Sequence, residues 1–355
     1  MSFQTEQQQA RQTITELYQN SFFQRYWQVI GKFIGRGKPT SIWKSAAVVM
    51  GVNLLLGISV SVLLKETQFT TLSSILTNAI WIVWAYFATV AIINVDRRLI
   101  EFLTLRFVAS VQNEQHIHEI LLWANRWFGR LFPQIFFYLC YGIFIALVGF
   151  YGVYQTSNFS IGTILIYFIN FFHIGVAFYA ALALMDFLVR LKNWNLVLYL
   201  DDPASSPILS QISNEISNFS LSAGIVFAII LLLLSLLNTL SLIIIIAYVA
   251  FSLIPISTLF ILKNQAFSRQ IARAKQERLE KIQAKIMEYS NLEKIDVATL
   301  DYLKGLAEYH DRVNSSKNSL YDFESFINLI GTLALPAIPV ILSLIDLWQK
   351  LFGKP

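Results

Sequence analysis

Apolar residues along this chain gather into runs far longer than a soluble core needs, and polar residues at helical spacing fill the intervals. Ile42–Leu64, Leu72–Val95, Leu131–Tyr154 and Ile161–Val189 each supply the ~20 apolar residues that cross a ~30 Å hydrocarbon layer. Phe219–Leu262 holds no charged residue and is too long for one crossing, so a break near Asn238 and Thr239 divides it into a fifth and a sixth span. A seventh, Phe326–Trp348, is interrupted by Pro336 and Pro339. The pattern predicts an all-α polytopic membrane protein with seven transmembrane helices.

Helical rhythm continues between the spans. Ile14, Tyr18, Phe22, Tyr26, Val29 and Phe33 recur at helical spacing beside basic residues, the pattern of an interfacial helix within residues 1–41. Leu99–Phe128 mixes apolar and charged positions as one or two further interfacial helices. The segment KNQAFSRQIARAKQERLEKIQAKIMEYSNLEK holds no Gly or Pro and continues the sixth span, predicting one helix from about Leu240 to Tyr289. At 1.5 Å per residue that helix is ~75 Å long, more than twice what a bilayer needs. Ala272, Lys275, Leu279, Ile282, Ile286 and Tyr289 follow one another at alternating three- and four-residue steps, a seam that wants partner helices. Asp296 is placed to cap a helix over Val297–Arg312. The fifth span is expected to begin early, at Ile208 after the turn DDPASSP, and the fourth to run on through Asn193–Leu200. The resulting organisation is an N-terminal interfacial helix (1–41), a six-helix membrane region (42–262) with connections 96–130 and 190–218, a helical segment 263–324, and a kinked last span in 325–355.

Composition agrees with this reading. Charged residues make up 14% of the 355, against roughly 25% in a soluble chain, and 55% are hydrophobic. Of the 27 Lys and Arg residues, all but Lys44, Lys65, Lys350 and Lys354 fall at the N-terminus or in the second-to-third, fourth-to-fifth and sixth-to-seventh connections. Positive residues mark the cytoplasmic side, which puts the N-terminus inside, the C-terminus outside, and the long helical extensions in the cytoplasm of a plasma-membrane protein. The pI near 9.1 follows this topology and calls for no nucleic acid. A lone Cys140 excludes an intramolecular disulfide and a Cys-based metal cage. The polar, Gln-rich start lacks the apolar core of a cleavable signal.

Candidate chemistry is sparse. His173 sits mid-span, with Tyr167 and Asn170 at three-residue steps on the same face. That face either borders a ligand cavity, with Asn53, Trp81 and Trp84 as neighbours, or simply hydrogen-bonds an adjacent helix. Asp186 has Arg190 at i+4, so a local ion pair explains it, and Lys44 reaches the interface by its own length. In HIHEI, His116 and Glu119 share a face, which does not make a metal site. The last span carries Asn328 and Thr332 near Leu333, Leu335 and Ile338. These are the positions of a narrow pore with a hydrophobic constriction, or of a kinked packing helix. No Gly-rich phosphate loop, HExxH or GxSxG occurs, and neither an enzyme nor a cofactor is expected.

In topology and element lengths the chain resembles the seven-helix ion channels related to insect odorant and gustatory receptors. The resemblance implies a tetramer held by a central cytoplasmic anchor, a pore lined by the seventh helix, and a ligand pocket in the outer half of the other helices. SLYDFESF, before the final span, is similar to a segment of prokaryotic polytopic proteins of no known activity. The expected function is therefore a homo-oligomeric ion channel gated by a small apolar or aromatic ligand, with Ala272, Leu279, Ile282, Ile286 and Tyr289 holding subunits together. The alternatives are a receptor or scaffold binding a partner through its basic helices, and a small-molecule transporter.

Overall fold

The computed structural model describes residues 3–36, 40–66, 72–154, 161–236, 253–290, 297–317, 341–342 and 345. Ten α-helices follow in order among them: α1 (Phe3–Gln19), α2 (Phe22–Ile34), α3 (Ile42–Leu63), α4 (Leu72–Phe102), α5 (Glu114–Ala124), α6 (Leu131–Tyr154), α7 (Ile161–Leu191), α8 (Pro207–Leu236), α9 (Ile254–Ser290) and α10 (Val297–Ser315). Short π-helical turns at Leu103–Phe107 and Asn125–Gly129 follow α4 and α5. No strand forms among the described residues; one isolated antiparallel bridge pairs Val111 with Leu196.

Among the described residues three helices are long and apolar enough to cross a membrane: Trp43–Leu63, Asn78–Ser110 and Ile164–Leu191, with a shorter apolar helix at Leu131–Phe144. Large apolar side chains stand exposed on them: Leu55, Val62 and Leu63 on α3, Val83 and Phe87 on α4, Phe132, Phe136 and Leu147 on α6. Such a belt is what lipid, and not water, would contact. Of the expected last span, Phe326–Trp348, only Ile341, Leu342 and Ile345 are among the described residues.

Close contact between α3 and α7 organises the membrane half. Asn53, Gly57 and Ser61 recur every four residues on α3, and Gly162, Ile166 and Asn170 do so on α7, giving each helix one narrow stripe of mostly small residues. The stripes run antiparallel. At Gly162 an added Cβ would collide with Ser61 Oγ and the Gly57 carbonyl oxygen, so the backbones meet only because both positions lack a side chain.

The helices differ in reach. Trp43 at the start of α3 meets Tyr86 with ring centroids 6.1 Å apart. Beyond Tyr86, α4 continues to Phe102, roughly 24 Å further along its axis. Beneath α3, a second and larger core forms from Leu99–Phe128, the end of α7, the start of α8 and the first half of α9. Its centre is an aromatic knot. Phe187 lies 4.9 Å from Phe107, 5.4 Å from Trp123 and 5.4 Å from Trp194, and all four are almost fully buried.

Several local expectations change. The N-terminal segment is two helices, broken where Ser21 accepts from Gln24 N and Gln134 Oε1 takes the Phe22 amide at 3.0 Å. The apolar face of α1 packs on protein: Ala10, Ile14 and Tyr18 are buried in the lower core. Leu99–Phe128 is likewise core, with Phe107, Val108, Ile120 and Trp123 buried. The fourth span does not extend through Asn193–Leu200; α7 stops at Leu191 and the chain becomes extended. By contrast α8 does begin at Pro207, after the Asp202-capped turn Pro203–Ser205, and runs unbroken to Leu236. Proline suits that first helical position, where its missing N–H has no partner to lose.

The α3–α7 contact predicts an order of effects. Gly162→Ala sets a methyl against backbone and lowers stability by ~1–3 kcal/mol, as overpacking does. Gly57→Ala meets chiefly the movable Ile166 side chain and costs less. Gly51→Ala meets nothing within 4 Å and is neutral or slightly stabilising. Melting of the detergent-solubilised variants checks the order.

Candidate functional site

Polar side chains concentrate at two levels, one inside the membrane half and one beneath it. In the upper level the α3 and α7 stripes bring two buried asparagines together. Asn53 Nδ2 donates to Asn170 Oδ1 at 2.8 Å and to the Ile166 carbonyl at 3.3 Å. The sequence-predicted neighbours stand close by: Trp81 and Trp84 pack edge-on at 5.5 Å in one buried cluster with Met50, Tyr141 and Ile166. Trp84 Nε1 donates to the Val226 carbonyl at 2.7 Å, joining α4 to α8. Four of the six pocket candidates are thus brought together. The side chains of Tyr167 and His173 lie outside the described ones, though both positions fall within α7.

The pair is unequally satisfied. Asn53 Oδ1 and Asn170 Nδ2 are buried with no hydrogen-bond partner among the described residues. An unmet acceptor beside an unmet donor is costly in an apolar medium. It is also a complementary match for a hydroxyl, an amide or a water. The arrangement offers no nucleophile or acid–base pair; its chemistry is hydrogen-bonded recognition.

The lower level is built around Asn193–Leu200. This segment is extended and lies between α5 and α9, so its backbone must find partners outside a helix. On one side Gln112 N donates to the Asn195 carbonyl at 3.2 Å and Val197 N to the Ser110 carbonyl at 2.8 Å. HIHEI serves the same end. His116 Nδ1 accepts the Asn195 amide at 3.1 Å, and Glu119 Oε2 accepts Trp194 Nε1 at 2.9 Å. On the other side α9 presents a row of donors. Gln270 Nε2 donates to the carbonyls of Leu191 and Trp194, and Arg273 reaches Asn193 O and Asn195 Oδ1. Arg278 donates to the carbonyls of Leu198, Tyr199 and Leu200. Tyr309 on α10 adds a bond to Leu200 O at 3.2 Å. Sequence reasoning missed this clamp.

The seam expected for subunit contacts is partly used within the chain. Ile282 is buried, Leu279, Ile286 and Tyr289 are half-buried, and Ala272 is exposed. Tyr289 packs on Tyr302 of α10 at 5.0 Å. Lys275 Nζ donates to the carbonyls of Asn314 and Ser316 at 3.1 and 2.7 Å, the favourable place for a cation at a helix C-terminus.

Asp186 behaves as expected, pairing with Arg190 at 3.1 Å, and additionally accepts Trp127 Nε1 at 2.8 Å. In α1, Tyr18 donates to Asp96 at 2.7 Å; burial first, and then the Asp96 charge, raises its phenol far above the ordinary value and keeps it the proton donor. Among the described residues no group of three or more His, Cys, Asp or Glu could hold a metal. The pore candidates Asn328, Thr332, Leu333, Leu335 and Ile338 lie outside the described residues. Comparison with family models, curated proteins and solved structures returned no match to the chain.

Lys263, directly after the sixth apolar run, is buried over the Phe260 ring and donates to Ser213 Oγ at 3.2 Å. Burial lowers its ammonium from 10.5 to about 8. At Lys263 the folded protein therefore binds fewer protons than the unfolded chain between those values, and this group's contribution to stability rises with pH across that window. Below pH 8 both states are protonated and the slope vanishes. Chemical denaturation from pH 7 to 10.5 should show the stability difference between wild type and Lys263→Met shifting in favour of wild type by an amount on the order of 3 kcal/mol.

Proposed function

We propose that the protein is a homo-oligomeric ion channel of the cell membrane, tetrameric and opened by a small apolar or aromatic ligand. It has seven spans and a cytoplasmic N-terminus, and its last span lines the pore at Asn328, Thr332, Leu333, Leu335 and Ile338. What supports the reading is the carbonyl clamp formed by Gln270, Arg273 and Arg278, which ties the end of α7 to α9. α7 carries Asn170 at its upper level, and α9 leads through α10 to the last span. A ligand that engages the unmet atoms of Asn53 and Asn170 shifts α7 against α3. The clamp transmits that shift to the arm entering the pore helix, and a ligand moves such an equilibrium only by its differential affinity for the two arrangements. The topology-level resemblance to odorant-receptor-related channels points the same way.

A scaffold that grips a partner through its basic helices is less well supported. Gln270, Arg273, Lys275 and Arg278 are engaged within the chain, which leaves Arg269, Lys281 and Lys285 as the exposed cations of that stretch. A transporter is third, since the spans carry no carboxylate pair for ion coupling.

Planar-bilayer recording of the purified protein, with a panel of apolar and aromatic compounds, tests the proposal. Unitary current steps and a tetrameric mass are expected. Asn170→Leu should raise the half-activating ligand concentration at least tenfold without changing unitary conductance. A monomer silent toward every compound contradicts the reading.

A further inference from the structure

We propose that α2 is an in-plane docking strip for anionic phospholipid headgroups, at the membrane surface where α3 begins. The inference rests on α3 being a span and not on ion conduction. One face of α2 is fully committed. Phe23, Trp27 and Gly31 are buried, the two aromatics in a cluster with Ala46, Val90, Ile93 and Tyr138, and Phe22 packs against Phe172 with ring centroids 6.2 Å apart. Thr40 Oγ1 donates to the Gly31 carbonyl at 3.1 Å, holding the end of α2 beside the first turn of α3.

The opposite face is open. Arg25, Gln28, Val29, Lys32 and Phe33 are all exposed, their helical spacing places them in one stripe, and exposed Arg36 follows just past the helix end. Val29 is 66% exposed and Phe33 is 86% exposed, too much bare apolar surface to leave in water on a single short helix. Cations flank both, and α2 contains no acidic residue. Arg25 is exposed and spends one N–H on Asn20 Oδ1 at 3.0 Å.

Two features select lipid as the occupant. The stripe combines phosphate-binding cations with apolar side chains that insert at the headgroup–acyl boundary, as surface-lying helices do. It is also continuous with the lipid-facing belt. α3 starts with exposed Trp43 and Lys44, followed by exposed Val48 and Val52. A protein partner would have to share this strip with the bilayer immediately beside it.

The test uses full-length protein reconstituted in nanodiscs of phosphatidylcholine with one third phosphatidylglycerol, extracted in mild detergent and assayed for retained lipid. Wild type should retain phosphatidylglycerol in excess of its share. The triple variant Arg25→Gln/Lys32→Gln/Arg36→Gln should lose at least threefold of it, with phosphatidylcholine unchanged. A control, Arg269→Gln/Lys281→Gln/Lys285→Gln, removes the same charge from exposed positions of α9 and should retain wild-type levels. Unchanged retention in the α2 variant overturns the proposal, as does equal loss in both variants. A second measurement is independent of those variants: a spin label at Phe33→Cys in a Cys140→Ser background. Relaxation by lipid-soluble oxygen, and not by an aqueous nickel reagent, is expected; the reverse overturns the proposal even if conductance is found.

Discussion

Backbone that leaves a helix inside a core must have its carbonyls and amides met, and the structure beneath the spans is organised by that requirement at residues 191–200. The strand-like segment's amides at Asn195 and Val197 find acceptors on the α5 side, most of its carbonyls find donors on α9, and so α5 and α9 are fixed relative to each other by the same stretch of chain. Hydrogen bonds from a charged donor contribute ~1.5–3 kcal/mol, and a buried carbonyl left unmet costs a comparable amount. The aromatic knot of Phe107, Trp123, Phe187 and Trp194 then has a defined shape to pack into, because Trp194 belongs to the clamped segment and Phe187 to the helix it terminates.

The membrane half solves a different problem. Lipid gives apolar helices no reason to prefer one another, so close backbone approach and interhelical hydrogen bonds decide which faces meet. Gly57 against Gly162 provides the approach, and Asn53 with Asn170 provides the bond. Both lie on the same four-residue stripes, so one register satisfies both. α7 is common to the two halves: its upper part forms the polar pair and its lower end is held by α9. That shared helix links the asparagine pair to the first half of α9.

Much of this was legible from residues alone. The apolar runs located α3, α4, α6 and α7, and the absence of helix breakers after Lys263 gave the continuous α9. Four-residue spacing put Asp186 on Arg190, and mid-span polar residues singled out Asn53 and Asn170. The extended segment was misread because leucine and tryptophan suit helices as well as strands. Yet the signal was present: Trp194, Leu196 and Leu198 are buried while Val197 and Tyr199 are exposed, a strict two-residue alternation. α1 and Leu99–Phe128 looked interfacial because a helix half apolar and half charged fits a bilayer surface and a protein core equally well. Only tertiary contact separates those cases. The seam on α9 had the same ambiguity, since α10 of the same chain covers part of it.

Amide hydrogen exchange on the full-length protein in nanodiscs, comparing wild type with Gln270→Leu/Arg278→Ala, tests the clamp most directly. The account predicts that the amides of Asn195, Val197 and Tyr199 lose protection together, by at least tenfold, along with the first half of α9, while α3 and the upper part of α7 are unchanged. Protection of those three amides at wild-type levels would contradict it.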